Sequence, residues 1–113
     1  MQIEVKGRNV PVNDELRELV ERKFRKVAAQ VSDLARLEVE LREERNPAIA
    51  ENQVAEVTLY LKGATLRAEG ASRELSHAIR LCSEELAPQV KRHRDKRRRR
   101  RELRAADGPQ PAV

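Results

Sequence analysis

The stretch RLEVELREERNPAIAENQVAEVTLYLKGATLRAEG, residues 36–70, contains three segments in which apolar and polar side chains alternate. These segments are Leu37–Arg42, residues 56–61 and residues 66–69. A period of two is typical of strands with one buried face. A polar stretch around Asn46-Pro47 separates the first two segments, and Lys62-Gly63-Ala64 forms a tight turn between the last two. The stretch therefore predicts an antiparallel meander of three strands.

Patterns on either side of the meander predict one more strand and two helices. Ile3 and Val5 alternate with polar residues, and Asn13 is a good cap for a helix over residues 14–30, where apolar residues recur every three or four positions. Ser72 is predicted to cap a second helix, which Pro88 should interrupt by removing a hydrogen bond. The order β-α-β-β-β-α predicts an α+β two-layer sandwich, with both helices on one side and a charged sheet face in solvent.

Positive charge is concentrated near the C-terminus. Residues 1–88 contain 14 Lys and Arg against 16 Asp and Glu, whereas residues 89–104 contain 10 against 2. Like charges repel at helical spacing, so we expect residues 89–104 to fray in the free protein and the last nine residues to be disordered. The densest part of this tail is Arg97, Arg98, Arg99, Arg100 and Arg101. A run of this density favours binding to polyanions, nucleic acid first among them.

Composition argues against several other functions. Only Phe24 and Tyr60 are aromatic, so base stacking cannot dominate any RNA binding, and the four glycines are interpreted as turn residues. Cys82 is the only cysteine and lies at an apolar helix position, while His77 and His93 do not converge with it on a metal site. No nucleophile has a base at a plausible spacing, so we expect no enzymatic activity and no cofactor. Without a signal peptide or an apolar span, we expect a cytoplasmic protein.

Similarity to known proteins lies in residues 1–10, residues 16–24 and the segment Gly70–Ile79, followed by Leu86, Gln89, Val90 and His93. These stretches resemble the family of hibernation-promoting factors and ribosome-associated translation inhibitors. The resemblance covers about residues 1–96 and implies a fold like the double-stranded-RNA-binding domain. It also implies a ribosome-binding domain over residues 1–96, with 97–113 as a basic and then disordered tail. Since this tail is too short for the dimerisation domain of longer members, the resemblance implies the short type.

By this resemblance, the protein binds the small ribosomal subunit near the decoding centre and the mRNA channel, inhibiting translation and promoting hibernation under stress. The implied partners are the small subunit and ribosomal RNA, with no membrane, no small-molecule substrate and a monomer off the ribosome. Three positions depart from the family pattern: Ser76 replaces a tyrosine, Glu85 a lysine and Pro88 an arginine. The cations that the resemblance assigns to RNA binding are Arg22, Lys23, Arg25, Lys26, Arg80, Lys91, Arg92, Arg94 and Lys96.

Two alternatives remain open on the sequence. The polar sheet face or an open sheet edge would suit a protein-interaction module, with the tail adding electrostatic attraction. The tail alone would suit a nonspecific nucleic-acid binder, since phosphate contacts carry little sequence information. Arg22, Lys23, Arg25 and Lys26 are interleaved with Glu18 and Glu21, which by itself favours a solvated helix face; the family resemblance reverses that preference.

Overall fold

A computed structural model describes residues 1–107 as one four-stranded sheet with helices on one side. The predicted α+β class and element order are confirmed, with the first helix divided in two. The elements are β1 Gln2–Arg8, α1 Asp14–Lys23, α2 Arg25–Ala28, β2 Arg36–Glu43, β3 Gln53–Leu61, β4 Ala64–Ser72 and α3 Leu75–Asp107.

The strands lie in the order β1-β2-β3-β4. β1 and β2 are parallel, which requires the helical crossover that α1 and α2 supply. β2, β3 and β4 form the predicted antiparallel meander, in which Val39 pairs with Val57 and Val57 with Ala68. Leu37, Val39 and Leu41 of β2 are buried, whereas the residues between them are half-buried and charged. The alternation therefore sends one face of the sheet to the helices and the other to solvent.

The first helix begins where the sequence predicts, but it is not continuous to residue 30. The Asn13 side chain accepts a hydrogen bond from the backbone N–H of Leu16 at 2.9 Å, as a capping residue does. Phe24 separates α1 from α2 because its φ of −101° and ψ of 11° depart from helical values. Its N–H still donates to Val20 at 3.0 Å, so the path of the chain stays helical while the Phe24 side chain fills the core.

α3 corrects two predictions about where the second helix begins and how it packs. Ser72 does not cap the helix; it ends β4, and its hydroxyl hydrogen-bonds with His77 Nδ1 at 2.7 Å. Gly70 is not a turn residue, because it lies buried within β4. A Cβ there would collide with the carbonyl of Ala78 and lie 2.6 Å from the Cys82 nitrogen. The small residue thus lets the α3 backbone approach the sheet.

The helix does not restart after Pro88, and the basic segment is helical within the described residues. α3 continues through Pro88 to Asp107. Leu86 and Val90 are buried on either side of the exposed proline, so packing holds the helix where one backbone hydrogen bond is lost. Once the packed part has formed, each further residue extends an existing helix and avoids the cost of nucleation.

The predicted boundary between residues 96 and 97 falls inside this helix, which includes residues 105–107 of the segment predicted to be disordered. The rest of that segment, residues 108–113, lies outside the described residues.

Candidate nucleic-acid interface

The cations near the end of the first helical segment lie on the molecular surface. Arg22, Arg25 and Lys26 are exposed, and Lys23 is half-buried. Within residues 1–107, none of these four side chains has a carboxylate oxygen within 4 Å. The interleaved Glu18 and Glu21 therefore do not neutralise them by direct pairing. Their charges are available to an anionic partner.

The cationic part of α3 extends beyond the sheet. Val90 is the last core residue of the helix, and Lys91 onward is exposed up to residue 105, with His93 half-buried. At 1.5 Å per residue, the 17 helical residues after Val90 span roughly 25 Å. The longest dimension of the molecule, 73 Å, reflects this projection. The basic tail predicted from the sequence is therefore helical over residues 91–107. This segment, the arm, presents cations around its circumference.

Gln30 joins the two cationic regions. Its side-chain amide donates to the backbone carbonyl of Lys26 at 3.1 Å, and its side-chain oxygen accepts from Arg94 Nη1 at 3.0 Å. The end of α2 and the beginning of the arm are thus adjacent. Because residues far apart in sequence meet here, their charges sum over one end of the molecule.

Arg80 does not belong to this cluster. It precedes Arg94 by fourteen residues on the same helix, a separation of about 21 Å along the axis. Its guanidinium lies 3.8 Å from Glu84, and Glu85 and Pro88 are exposed between it and the arm. The first half of α3 consequently lacks the continuous positive surface that the second half has.

Two arm cations have acidic neighbours among residues 1–105. Arg94 lies 3.6 Å from Asp95, and Arg98 lies 3.9 Å from Glu102. Exposed pairs of this kind are weak and exchange readily for other anions. The predicted arm cations with no carboxylate oxygen within 4 Å among residues 1–105 are Lys91, Arg92, Lys96, Arg97, Arg99, Arg100 and Arg101.

The pKa of His93 responds to the positive electrostatic potential at the base of the arm. Partial burial lowers the pKa of His93, and the positive charges of Arg97, Arg100 and Lys96 lower this pKa further. A neutral imidazole is therefore favoured beside these cations. A bound phosphate would act in the opposite direction, because negative charge stabilises the protonated ring.

Cys82 is a core residue and not a reactive thiol. Burial raises its pKa to about 12, and the charges of Glu85, Glu69 and Glu56 add to this increase. The protonated thiol lies 3.6 Å from the carbonyl of Ala68. Over residues 1–107, no three His, Cys, Asp or Glu side chains come together as potential metal ligands.

Two residues at this end were missed by the sequence reasoning. Gln30 bridges α2 and the arm, and Lys62 lies across from the arm at the β3–β4 turn. A glutamine after an apolar stretch gives no indication in the sequence that its side chain contacts a residue far along the chain. Lys62 was interpreted only as part of a turn, since its proximity to the arm depends on how far α3 extends past the sheet.

The chain is similar in sequence to proteins named for ribosome hibernation. A family model described as Sigma 54 modulation protein / S30EA ribosomal protein matches residues 3–98. A ribosome hibernation promotion factor of Picosynechococcus is 30% identical over 97 residues, which are 85% of this chain and 50% of the relative. A ribosome hibernation promoting factor of Azotobacter vinelandii is 29% identical over 98% of this chain and 100% of the relative. The chain thus spans half of one relative and all of the other.

A solved structure has the same fold. The N-terminal domain of Thermus thermophilus Protein Y aligns with a TM-score of 0.70 and 29% identity, over 82% of this chain and 99% of that domain. None of the helices in residues 1–107 is long and apolar enough to cross a membrane.

Proposed function

The chain belongs to the family described as Sigma 54 modulation protein / S30EA ribosomal protein, and from this membership we propose that it binds the small ribosomal subunit near the decoding centre and the mRNA channel. Bound there, it inhibits translation and promotes ribosome hibernation under stress. The resemblance to hibernation-promoting factors drawn from residues 1–96 is confirmed. A ribosomal partner implies a cytoplasmic protein, which acts as a binding factor without catalysis and is monomeric off the ribosome.

One observation carries the proposal beyond membership: α2 and the arm bring together, at one end of the domain, a cluster of cations that have no carboxylate oxygen within 4 Å among residues 1–105. Arg25 and Lys26 follow α1, the arm of α3 projects beside them, and Gln30 links the two. Ribosomal RNA offers closely spaced phosphates that such a surface can neutralise with release of counterions. The folded body supplies the shape that restricts binding to one place, since phosphate contacts alone do not specify it.

The test is cosedimentation of the full chain with purified small subunits and with whole ribosomes over a salt series. The test variant is Arg22→Gln/Arg25→Gln/Lys26→Gln, and the matched control is Lys6→Gln/Arg8→Gln/Arg36→Gln on the sheet face. Both remove three positive charges. We expect saturable one-to-one binding, weakened about tenfold or more by the helix variant and within about twofold by the sheet variant.

Two results would contradict the proposal. Equal weakening by the two variants would mean that only net charge matters. Binding that never saturates, or that is equally strong to duplex DNA, would indicate a nonspecific nucleic-acid binder that has kept the fold. Circular dichroism melts of both variants should match that of the parent chain, because the substituted helix residues lie outside the core.

A further inference from the structure

A groove of about 850 Å³ lies between the arm of α3 and the body of the domain. Its body side consists of residues 29–32, Leu34 and Ala35 of the α2–β2 connection, and the start of the β3–β4 turn at Leu61 and Lys62. Its arm side runs from His93 to Arg101. The groove exists because α3 continues past the end of the sheet that supports its first half.

The arm side of the groove continues the stripe of α3 that packs on the sheet. Ile79, Leu86 and Val90 hold the helix to the core. Further along the same side, the stripe becomes cationic, and its groove-lining arginines are Arg94, Arg97, Arg98 and Arg101. These four occupy positions separated by three, four and seven residues, so they project in similar directions. Beyond Val90, the side chains of this stripe no longer pack in the core of the domain.

The body side of the groove is mainly apolar and structurally fixed. Leu34 is 94% exposed, an unusual position for a leucine at the rim of a groove, and Val31 and Leu61 lie nearby. Ser32 holds the turn, since its hydroxyl accepts from the Leu34 N–H at 3.1 Å and its carbonyl from the Ala35 N–H at 3.0 Å. Leu34 is thus presented to solvent by an ordered backbone.

A ligand in this groove would meet arginines on one side and aliphatic side chains on the other. RNA satisfies the arginines but gains little from Leu34, because bases prefer to stack on aromatic rings. Tyr60, the aromatic residue at the groove, already has Arg36 4.5 Å above its ring and donates to Glu38 at 3.3 Å. We propose that the groove binds a protein segment that is acidic along one side and apolar along the other.

This docking site leaves cations available for RNA. Arg92, Lys96 and Arg99 lie on the opposite side of the arm from Arg97 and Arg101, by the 3.6-residue helical repeat. The arginine run is therefore divided between two surfaces. The proposal goes beyond ribosomal RNA binding and can fail while the proposed function holds.

The test measures fluorescence anisotropy of labelled peptides against the full chain at about 0.15 M salt. The probes are a helical peptide with Glu on one side and Leu on the other, an extended Glu/Leu alternating peptide, a scrambled peptide of the same composition and an oligouridine RNA. The variants are Leu34→Ser and Arg97→Gln/Arg101→Gln, with Arg92→Gln/Arg99→Gln as the matched charge control. Leu34 is exposed, so its substitution leaves the fold intact.

We expect either the helical or the extended amphipathic peptide to bind more tightly than the scrambled peptide. Leu34→Ser and the Arg97/Arg101 variant should each weaken this binding about tenfold, and the Arg92/Arg99 control about twofold or less. Oligouridine binding should not respond to Leu34→Ser. Binding of neither amphipathic peptide, equal binding of the scrambled one, or equal loss in both arginine variants overturns the proposal. A Leu34 effect on RNA alone would identify an RNA site instead.

Discussion

The open sheet face and the helix surface both carry many cations, but pairing with glutamates is common on the sheet and rare among the described residues of α2 and the arm. Lys6, Arg8, Arg36 and Arg42 each lie within 4 Å of a glutamate. On α2 and most of the arm, the cations have no such neighbour among residues 1–105. The five cations Lys6, Arg8, Arg36, Arg42 and Arg67 share the outward positions of the four strands with the five glutamates Glu4, Glu38, Glu40, Glu56 and Glu69.

The comparison shows that the availability of a cation to an anionic partner depends less on its location than on whether a carboxylate lies beside it. Across the sheet, Lys6, Glu40, Glu56 and Glu69 form one row over four strands, and Arg42 reaches into it. Three glutamates directly opposite one another would repel, and Arg42 offsets this repulsion by donating to Glu56 and Glu69. In the arginine run of the arm, only Arg98 lies within 4 Å of a carboxylate oxygen among residues 1–105. Most cations of the sheet face are already paired with glutamates, whereas the cations of the helix surface remain available to bind anions.

The largest expected effect comes from removing the unpaired charges. Arg92→Gln/Lys96→Gln/Arg99→Gln/Arg100→Gln should weaken binding to small subunits about a hundredfold, because up to four phosphate contacts are lost. The slope of log affinity against log salt should become shallower by up to about 3. Filter binding over a salt series measures both quantities.

Four substitutions on the sheet, Lys6→Gln/Arg8→Gln/Arg36→Gln/Arg67→Gln, provide the matched control. We expect this variant to keep the parent slope, since these cations face a glutamate-rich surface. A slope that decreased equally in both variants would refute the distinction between cations of the glutamate-rich sheet face and cations of the arm.

A smaller effect, on stability, should follow from opening the Arg42 cluster. Arg42 donates to Glu44 at 3.1 Å, to Glu56 at 2.9 Å and to Glu69 at 3.3 Å. Burial lowers the pKa of Arg42, but these glutamates outweigh burial and raise the pKa above its ordinary value. We expect Arg42→Met to lower the free energy of unfolding by about 1–2 kcal/mol, discounted for partial exposure.

Urea denaturation measures this change, with Lys6→Met as the control at a more exposed pair. The control should lose less than about 0.5 kcal/mol. RNA affinity should be unchanged in both variants. Equal destabilisation would show that the shared contacts of Arg42 add nothing to a simple surface pair.

The smallest effect concerns His93. Because its folded pKa lies below the unfolded value of about 6.5, the folded state binds fewer protons, and stability should fall as pH decreases through that value. We expect a loss of a few tenths of a kcal/mol between about pH 7.5 and 5.5 that disappears in His93→Gln. Urea denaturation of both proteins at the two pH values isolates this contribution. If the free energy of unfolding of the variant depended on pH as in the parent chain, the loss would not arise from His93.

Local patterns predicted most of the fold. The alternation of Leu37, Val39 and Leu41 identified a half-buried strand, and Asn13 correctly marked the start of α1. The errors fall where tertiary packing opposes local preference. Packing of Leu86 and Val90 carries α3 through Pro88, and the approach of α3 to the sheet explains Gly70 inside β4.

The element order, the buried face of each strand and the concentration of positive charge after residue 88 can be read from the amino-acid sequence, because they depend on neighbours along the chain. Three features require the folded protein: which cations are paired, how far the arm projects, and the link from α2 to Arg94 through Gln30. Those features depend on residues distant in sequence, and on the point where the sheet ends and the helix continues. The groove beside Leu34 arises from that difference in length.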